Sequence, residues 1–185
     1  MLSQFISNDG VRLLGDLEFE FPVGTHAVGR LDADSEGLLI LTTNKKITKL
    51  LFESGVPHLR TYLANVKNIV SAEKLKELQN GVVIRTGDKE FYTAVPIGAE
   101  IVDDLSVYGC LADTLPYAYP NTWLVITLAE GKYHQVRKMV AGLGHPCRRL
   151  IRVSIEDLFL NDLLPGEVRE MTELDFFNNL KLQKM

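Results

Sequence analysis

Apolar and polar positions change spacing along this chain, and each change marks an element. Gly37-Leu38-Leu39-Ile40-Leu41-Thr42 is a short continuous apolar run, which predicts a buried strand closed by Thr43-Asn44. Ile47, Leu50 and Leu51 fall at helical spacing and predict a short helix ending near Phe52. Arg60 to Val66 reads as a strand. Ser71 suits the N-cap of a helix running through Gln79, with Glu73 favourable in its first turn and Gly81 as its stop. Val82-Val83-Ile84 and Trp123 to Leu128 are further strands. Val136, Met139, Val140 and Leu143 lie at i, i+3, i+4 and i+7, one apolar helix face, which Gly142, Gly144 and Pro146 bring to an end. Leu150 to Leu160 is mostly strand, and Thr172 caps a last short helix. Residues 1–29 look irregular, and 103–121, with Gly109, Pro116 and Pro120, look like a long loop. Strands outnumber helices and do not alternate with them. The predicted class is α+β, with a large mixed or antiparallel sheet.

Composition narrows the setting. A chain of 185 residues with 46% apolar and 24% charged positions makes one large domain or two small ones, with core enough to need no disulfide or metal. No apolar run approaches the ~18 residues of a membrane span. The first ten residues lack the charged start and apolar stretch of a signal peptide. Cys110 and Cys147 show no CxxC spacing. The expectation is a soluble chain in a reducing, cytoplasmic setting, without a membrane partner.

Net charge is -4, unlike a protein that coats nucleic acid indiscriminately. The average hides a local excess. Lys132, Arg137, Lys138, Arg148, Arg149 and Arg152 follow one another with no acid between them, and then Val153 to Asp175 carries seven acids and one Arg169. On charge alone such a run reads equally as a solvated face or as a surface for phosphate oxygens.

Two clusters carry candidate chemistry. Gly29-Arg30-Leu31-Asp32-Ala33-Asp34-Ser35-Glu36-Gly37 alternates three carboxylates between glycines. It permits three readings: a polar turn entering a strand; a calcium loop, which lacks the Glu needed at its twelfth position, where Thr43 stands; or a single working carboxylate, Asp32. A nucleophilic carboxylate must stay ionised in a partly dry place, which calls for a guanidinium nearby. The second cluster is Glu130-Gly131-Lys132-Tyr133-His134-Gln135-Val136-Arg137-Lys138-Met139, in which Gln135, Arg137 and Lys138 lie off the apolar helix face. The histidines at 26, 58, 134 and 145 and the lone Cys147 do not form a zinc pattern.

These segments together resemble the RNA pseudouridine synthases of the RsuA family. Gly29-Arg30-Leu31-Asp32 with Ser35-Glu36-Gly37-Leu38-Leu39 is similar to their central motif, and Arg60-Thr61-Tyr62 to their Lys/Arg-x-Tyr strand. Glu130-Gly131-Lys132 through Met139 resembles their helix motif. Gly144-His145-Pro146 with Leu150-Ile151-Arg152 resembles the strand after it, and Pro165-Gly166-Glu167 with Arg169-Glu170 the closing turn. Five motifs in order, from Leu2 to about Glu173, are specific where any one would be weak.

The resemblance implies a single catalytic domain over 1–185, with a large sheet flanked by short helices. The expectation departs from most relatives, which carry a small S4 RNA-binding domain and a first strand ending Asn-Lys-Pro. The implied reaction is isomerisation of uridine to pseudouridine in ribosomal RNA, at one site of the large subunit or its assembling particle, by a monomer with no cofactor and no metal. By the same resemblance Asp32 is the catalytic carboxylate, Arg137 its basic partner, and Tyr62 stacks on the base. Leu150 packs beneath the base, and Arg30 contacts a flanking phosphate or pairs with Asp34 or Glu36. Lys132, His134, Gln135, Lys138, Arg148 and Arg152 bind RNA.

Overall fold

In the computed structural model, residues 1–7, 10–52, 55–112 and 119–182 are described, the side chains of 109–112 excepted. The strands in chain order are β1 (His26–Val28), β2 (Glu36–Gly37), β3 (Ile40–Thr42), β4 (Arg60–Lys67), β5 (Val82–Arg85), β6 (Phe91–Ala94), β7 (Gly98–Ile101), β8 (Asn121–Leu128), β9 (Cys147–Ile155) and β10 (Leu158–Phe159). The helices are α1 (Lys46–Phe52), α2 (Ala72–Asn80), α3 (Gln135–Gly142) and α4 (Glu173–Asn179).

A six-stranded mixed sheet frames the molecule in the order β10-β9-β4-β8-β7, with β2 added parallel to β9. β1 with β3 and β5 with β6 form separate antiparallel pairs. The period-2 alternation of the long strands divides the core in two. Ala64, Val66, Leu124, Ile126, Leu128 and Leu150 face Leu78 of α2 and Val136, Met139 and Val140 of α3. On the other side Leu63, Trp123, Ile151, Val153 and Ile155 meet Val28, Ile40, Ile47, Leu51, Phe177 and Leu180. Each Val, Leu, Ile, Met or Phe among them taken fully from water contributes roughly 1.5–3 kcal/mol.

The helices begin and end as their capping residues dictate. The Ser71 hydroxyl accepts from the Lys74 amide at 3.3 Å, and the Thr172 hydroxyl accepts from the Asp175 amide at 3.1 Å. Gly81 stops α2 at φ 103°.

The predicted strand over 37–42 is divided between two sheets. Gly37 has φ 104°, and a Cβ there would lie 2.3 Å from the Arg152 carbonyl oxygen. The chain therefore presses its backbone onto β9 at β2, turns, and continues as β3 beside β1. An apolar run is uniform across that turn and cannot show it. β9 begins at Cys147, earlier than the predicted Leu150, and β1, β6 and β7 are strands the spacing did not reveal. The predicted loop over 103–121 contains 3-10 turns over Leu105–Ala112, and its 113–118 portion lies outside the described residues. Among the described residues no helix is long and apolar enough to cross a membrane.

Candidate functional site

Two loops and one strand row meet on the α3 side of the sheet. The first loop is the 29–37 turn. The Ser35 amide donates to the Asp32 carbonyl at 2.9 Å, and the Leu31 amide donates to the Ser3 hydroxyl at 3.0 Å, which anchors the turn to the start of the chain. The second loop is 130–134, which leads into α3. Gln135 shapes it: its side-chain oxygen accepts from the Lys132 amide at 2.8 Å, and its side-chain nitrogen donates to Glu130 at 2.7 Å. His134 then takes the left-handed conformation, φ 54°, unusual for a residue with a side chain. Its ring stacks on Tyr133 at 4.0 Å between centroids, and its Nε2 stands 3.5 Å from the Asp32 carboxylate.

Arg137, one turn into α3, grips the 29–37 turn. Its Nη2 donates to the Asp34 carbonyl at 2.6 Å and to the Ser35 hydroxyl at 3.3 Å, and lies 3.2 Å from the Asp34 carboxylate. This corrects the expected pairing of Arg137 with Asp32. The tight turn closed by the Ser35 amide brings Asp34 back onto α3 and leaves Asp32 facing His134.

The floor is a row across the sheet. Tyr62 of β4 is in register with Arg152 of β9, which is in register with Gly37 of β2. Arg152 is only 4% exposed. Its Nε donates to the Leu38 carbonyl at 2.8 Å, it engages the Tyr62 phenol, and its Nη2 is buried without a partner. Arg152 is thus no surface contact for RNA, as the basic run suggested: strand alternation turns it into the floor. Gln135 is likewise buried, with both ends of its amide engaged within the 130–135 loop, which corrects its assignment to an RNA-facing surface.

The other expected residues are spread over neighbouring elements. Tyr62 is half-buried against the core cluster that contains Leu150, and Leu150 itself is a core residue. Lys132 lies 4.1 Å over the Tyr92 ring and 3.9 Å from Glu130. Lys138 donates to the Arg85 carbonyl at 2.8 Å and stands 5.1 Å over Tyr133. Arg148 is exposed, 5.9 Å from the Tyr119 ring. Arg30 is exposed and pairs with neither expected acid, because Asp34 faces Arg137 and Glu36 is held by Arg149 through bonds of 2.9 and 2.8 Å.

Sequence reasoning did not single out Arg60 as a site residue. It is 8% exposed, its guanidinium lies 4.7 Å over the Phe52 ring, and it reaches within 3.5 Å of where a Cβ at Gly131 would sit. Its spacing two residues before Tyr62 on one strand is the signal that places both on one face. Burial lowers both guanidiniums, Arg60 and Arg152, from their ordinary value, and Arg60 repels Arg152 further. Burial also pushes the Cys147 thiol up to about 11.

Asp32, Asp34 and His134 offer three ligand atoms within 4.8 Å of one another. A cation there would have to displace the Arg137 charge from Asp34, and Glu36, the third carboxylate of the calcium reading, is turned to Arg149. A hollow of about 490 Å³ beside Glu18, Phe19, Leu163 and the 166–169 turn is lined by none of these groups.

Comparison with known proteins matches the model for RNA pseudouridylate synthase to residues 17–142. The chain is 35% identical over 175 residues to a ribosomal large subunit pseudouridine synthase E of Vibrio parahaemolyticus, covering 92% of this chain and 69% of that protein. It is 33% identical over 167 residues to a protein of the same name in Xanthomonas axonopodis pv. citri, covering 89% and 85%. A solved pseudouridylate synthase superposes with a TM-score of 0.71 at 27% identity, over 97% of this chain and 68% of that one.

Proposed function

The chain belongs to the RNA pseudouridylate synthase family, and we propose that Asp32 is the carboxylate through which it isomerises a single uridine of large-subunit ribosomal RNA. The family reaction breaks the bond between uracil N1 and the sugar, turns the base and rejoins it to the sugar through carbon. A base inside an RNA stack must first be drawn out to reach a protein carboxylate. One observation carries the reading: Asp32 is a half-buried carboxylate where the 29–37 and 130–134 loops meet, 3.5 Å from His134.

Arg137 serves Asp32 through the turn. By holding the Asp34 carbonyl and the Ser35 hydroxyl it fixes the loop whose first carboxylate is Asp32. Tyr62, half-buried in the floor, gives the extruded base a ring to stack on, and Leu150 supports that ring from the core. Lys132, Lys138, Arg148 and Arg30 suit contacts to the RNA backbone, and His134, 3.5 Å from Asp32, suits the target nucleotide.

The order and spacing of the motifs support placement in the RsuA family, nearest its pseudouridine synthase E branch, acting as a monomer in the cytoplasm without a cofactor. Mapping pseudouridines in ribosomal RNA from cells with and without this gene tests the proposal. One large-subunit pseudouridine disappears on deletion and returns with the wild-type gene but not with Asp32→Ala. An unchanged map overturns it.

A further inference from the structure

Arg60 and Arg152 present an electrostatic arrangement that ordinary folding does not require. Both are buried, and they repel each other. The carboxylate that acts on Arg60 is Glu156, and none bonds either guanidinium among the described residues. Glu156 is otherwise engaged by the Leu59 amide at 2.6 Å and by Lys181 at 3.1 Å. For Arg152, on which no carboxylate acts, a buried charge without an opposite partner is strongly unfavourable, and the buried N–H left unbonded at its Nη2 adds to that. Tyr62, on whose strand Arg60 lies two residues away and with which Arg152 is in register, forms the floor on which the base is proposed to rest. Arg60 also lies under the loop that carries His134 to Asp32.

We infer that Arg60 and Arg152 form a preorganised positive field beneath the pocket that stabilises the negative charge on uracil while the base is detached from its sugar. The inference rests on the proposed reaction and deepens it. When the C1′–N1 bond breaks, its electron pair stays with the base and spreads over N1 and the carbonyl oxygens, while the electron-poor sugar carbon faces Asp32. On rejoining, C5 supplies the pair for the new bond to C1′, the C5 proton leaves and N1 gains one. No oxidant or reductant enters. Fixed charges aimed at such a transient anion act without reorganising and need not touch it. Both guanidiniums lie in a dry floor, where their field is little screened.

The test compares single-turnover consumption of uridine and of 5-fluorouridine at the target position of one RNA, with wild type, Arg152→Met, Arg152→Lys and Arg60→Gln. Fluorine makes the detached base a more stable anion, so it needs less help. Arg152→Met slows the uridine reaction by about a hundredfold or more and the fluorouridine reaction by clearly less, and Arg60→Gln shows the same pattern more weakly. Arg152→Lys, which keeps the charge, recovers part of the rate. Equal losses on both substrates, or wild-type rates in both Arg152→Met and Arg60→Gln, overturn the inference. If Arg152→Met fails to fold by circular dichroism, Arg60→Gln and Arg152→Lys decide by the same comparison. A wild-type protein that leaves uridine unchanged would instead sink the proposed reaction itself.

Discussion

Arg137 holds the backbone of the 32–35 turn more closely than it holds any carboxylate: its Nη2 is 2.6 Å from the Asp34 carbonyl oxygen and 3.2 Å from the Asp34 carboxylate. The Asp34 side chain is 62% exposed, so water screens that ion pair and it contributes under about 1 kcal/mol. The bonds to the carbonyl and to Ser35 are the ones that position Asp32.

Asp34→Asn should therefore keep most of the turnover and stay within about 1 kcal/mol of wild-type stability. Arg137→Met should abolish turnover while the circular dichroism spectrum remains native. If Asp34→Asn is as inactive as Arg137→Met, the charge pair, and not the hold on the turn, is what the reaction needs.

Gly37→Ala tests the crossing of β2 over β9. A Cβ at Gly37 would meet backbone, 2.3 Å from the Arg152 carbonyl oxygen and 2.7 Å from its nitrogen, at φ 104°. Backbone cannot give way as a flexible side chain does, so urea denaturation should show a loss of at least about 2 kcal/mol. Gly98→Ala, which meets nothing within 4 Å, is the control and should melt like wild type.

Gln135→Ala should uncouple the 130–134 loop from α3. It leaves the Lys132 amide and Glu130 without their bonds, which costs about 1–3 kcal/mol. Because His134 and Arg137 flank Gln135, turnover should drop by about tenfold or more, with RNA affinity measured by filter binding changed far less. A variant with normal turnover would show that the loop holds its shape without Gln135.

Much of this was legible in the chain, and the failures have physical causes. Ser71, Thr172 and Gly81 announce helix ends because capping is local chemistry. Asp32 and Arg137 stand out in the sequence only as members of ordered motifs. That Arg137 meets Asp34 depends on how one turn closes, which residue type does not encode. Arg152 read as surface charge because Arg usually is, whereas strand alternation beside Tyr62 buries it. β1, β6 and β7 are strands of three or four residues, so their own spacing carries little signal.

Cys147 offers a check on burial near the site. Its thiol is pushed up to about 11 from 9.0, chiefly by desolvation. A folded-state value above the unfolded one gives stability that is complete below pH 9 and is lost as pH rises through about 11. In a Cys110→Ser background, iodoacetamide at pH 8 should label native Cys147 far more slowly than the urea-unfolded chain. Equal rates would place the thiol in water.

The central claim is that the carboxylate of Asp32 does chemistry on uridine. In pseudouridine C5 carries the sugar, so the hydrogen it bore in uridine must leave. Purified protein incubated with ribosomal RNA tritiated at uracil C5 should release tritium to water, and Asp32→Asn, with an unchanged circular dichroism spectrum, should release none. Equal release by both proteins would contradict the assignment of Asp32, and release by neither would contradict the reaction.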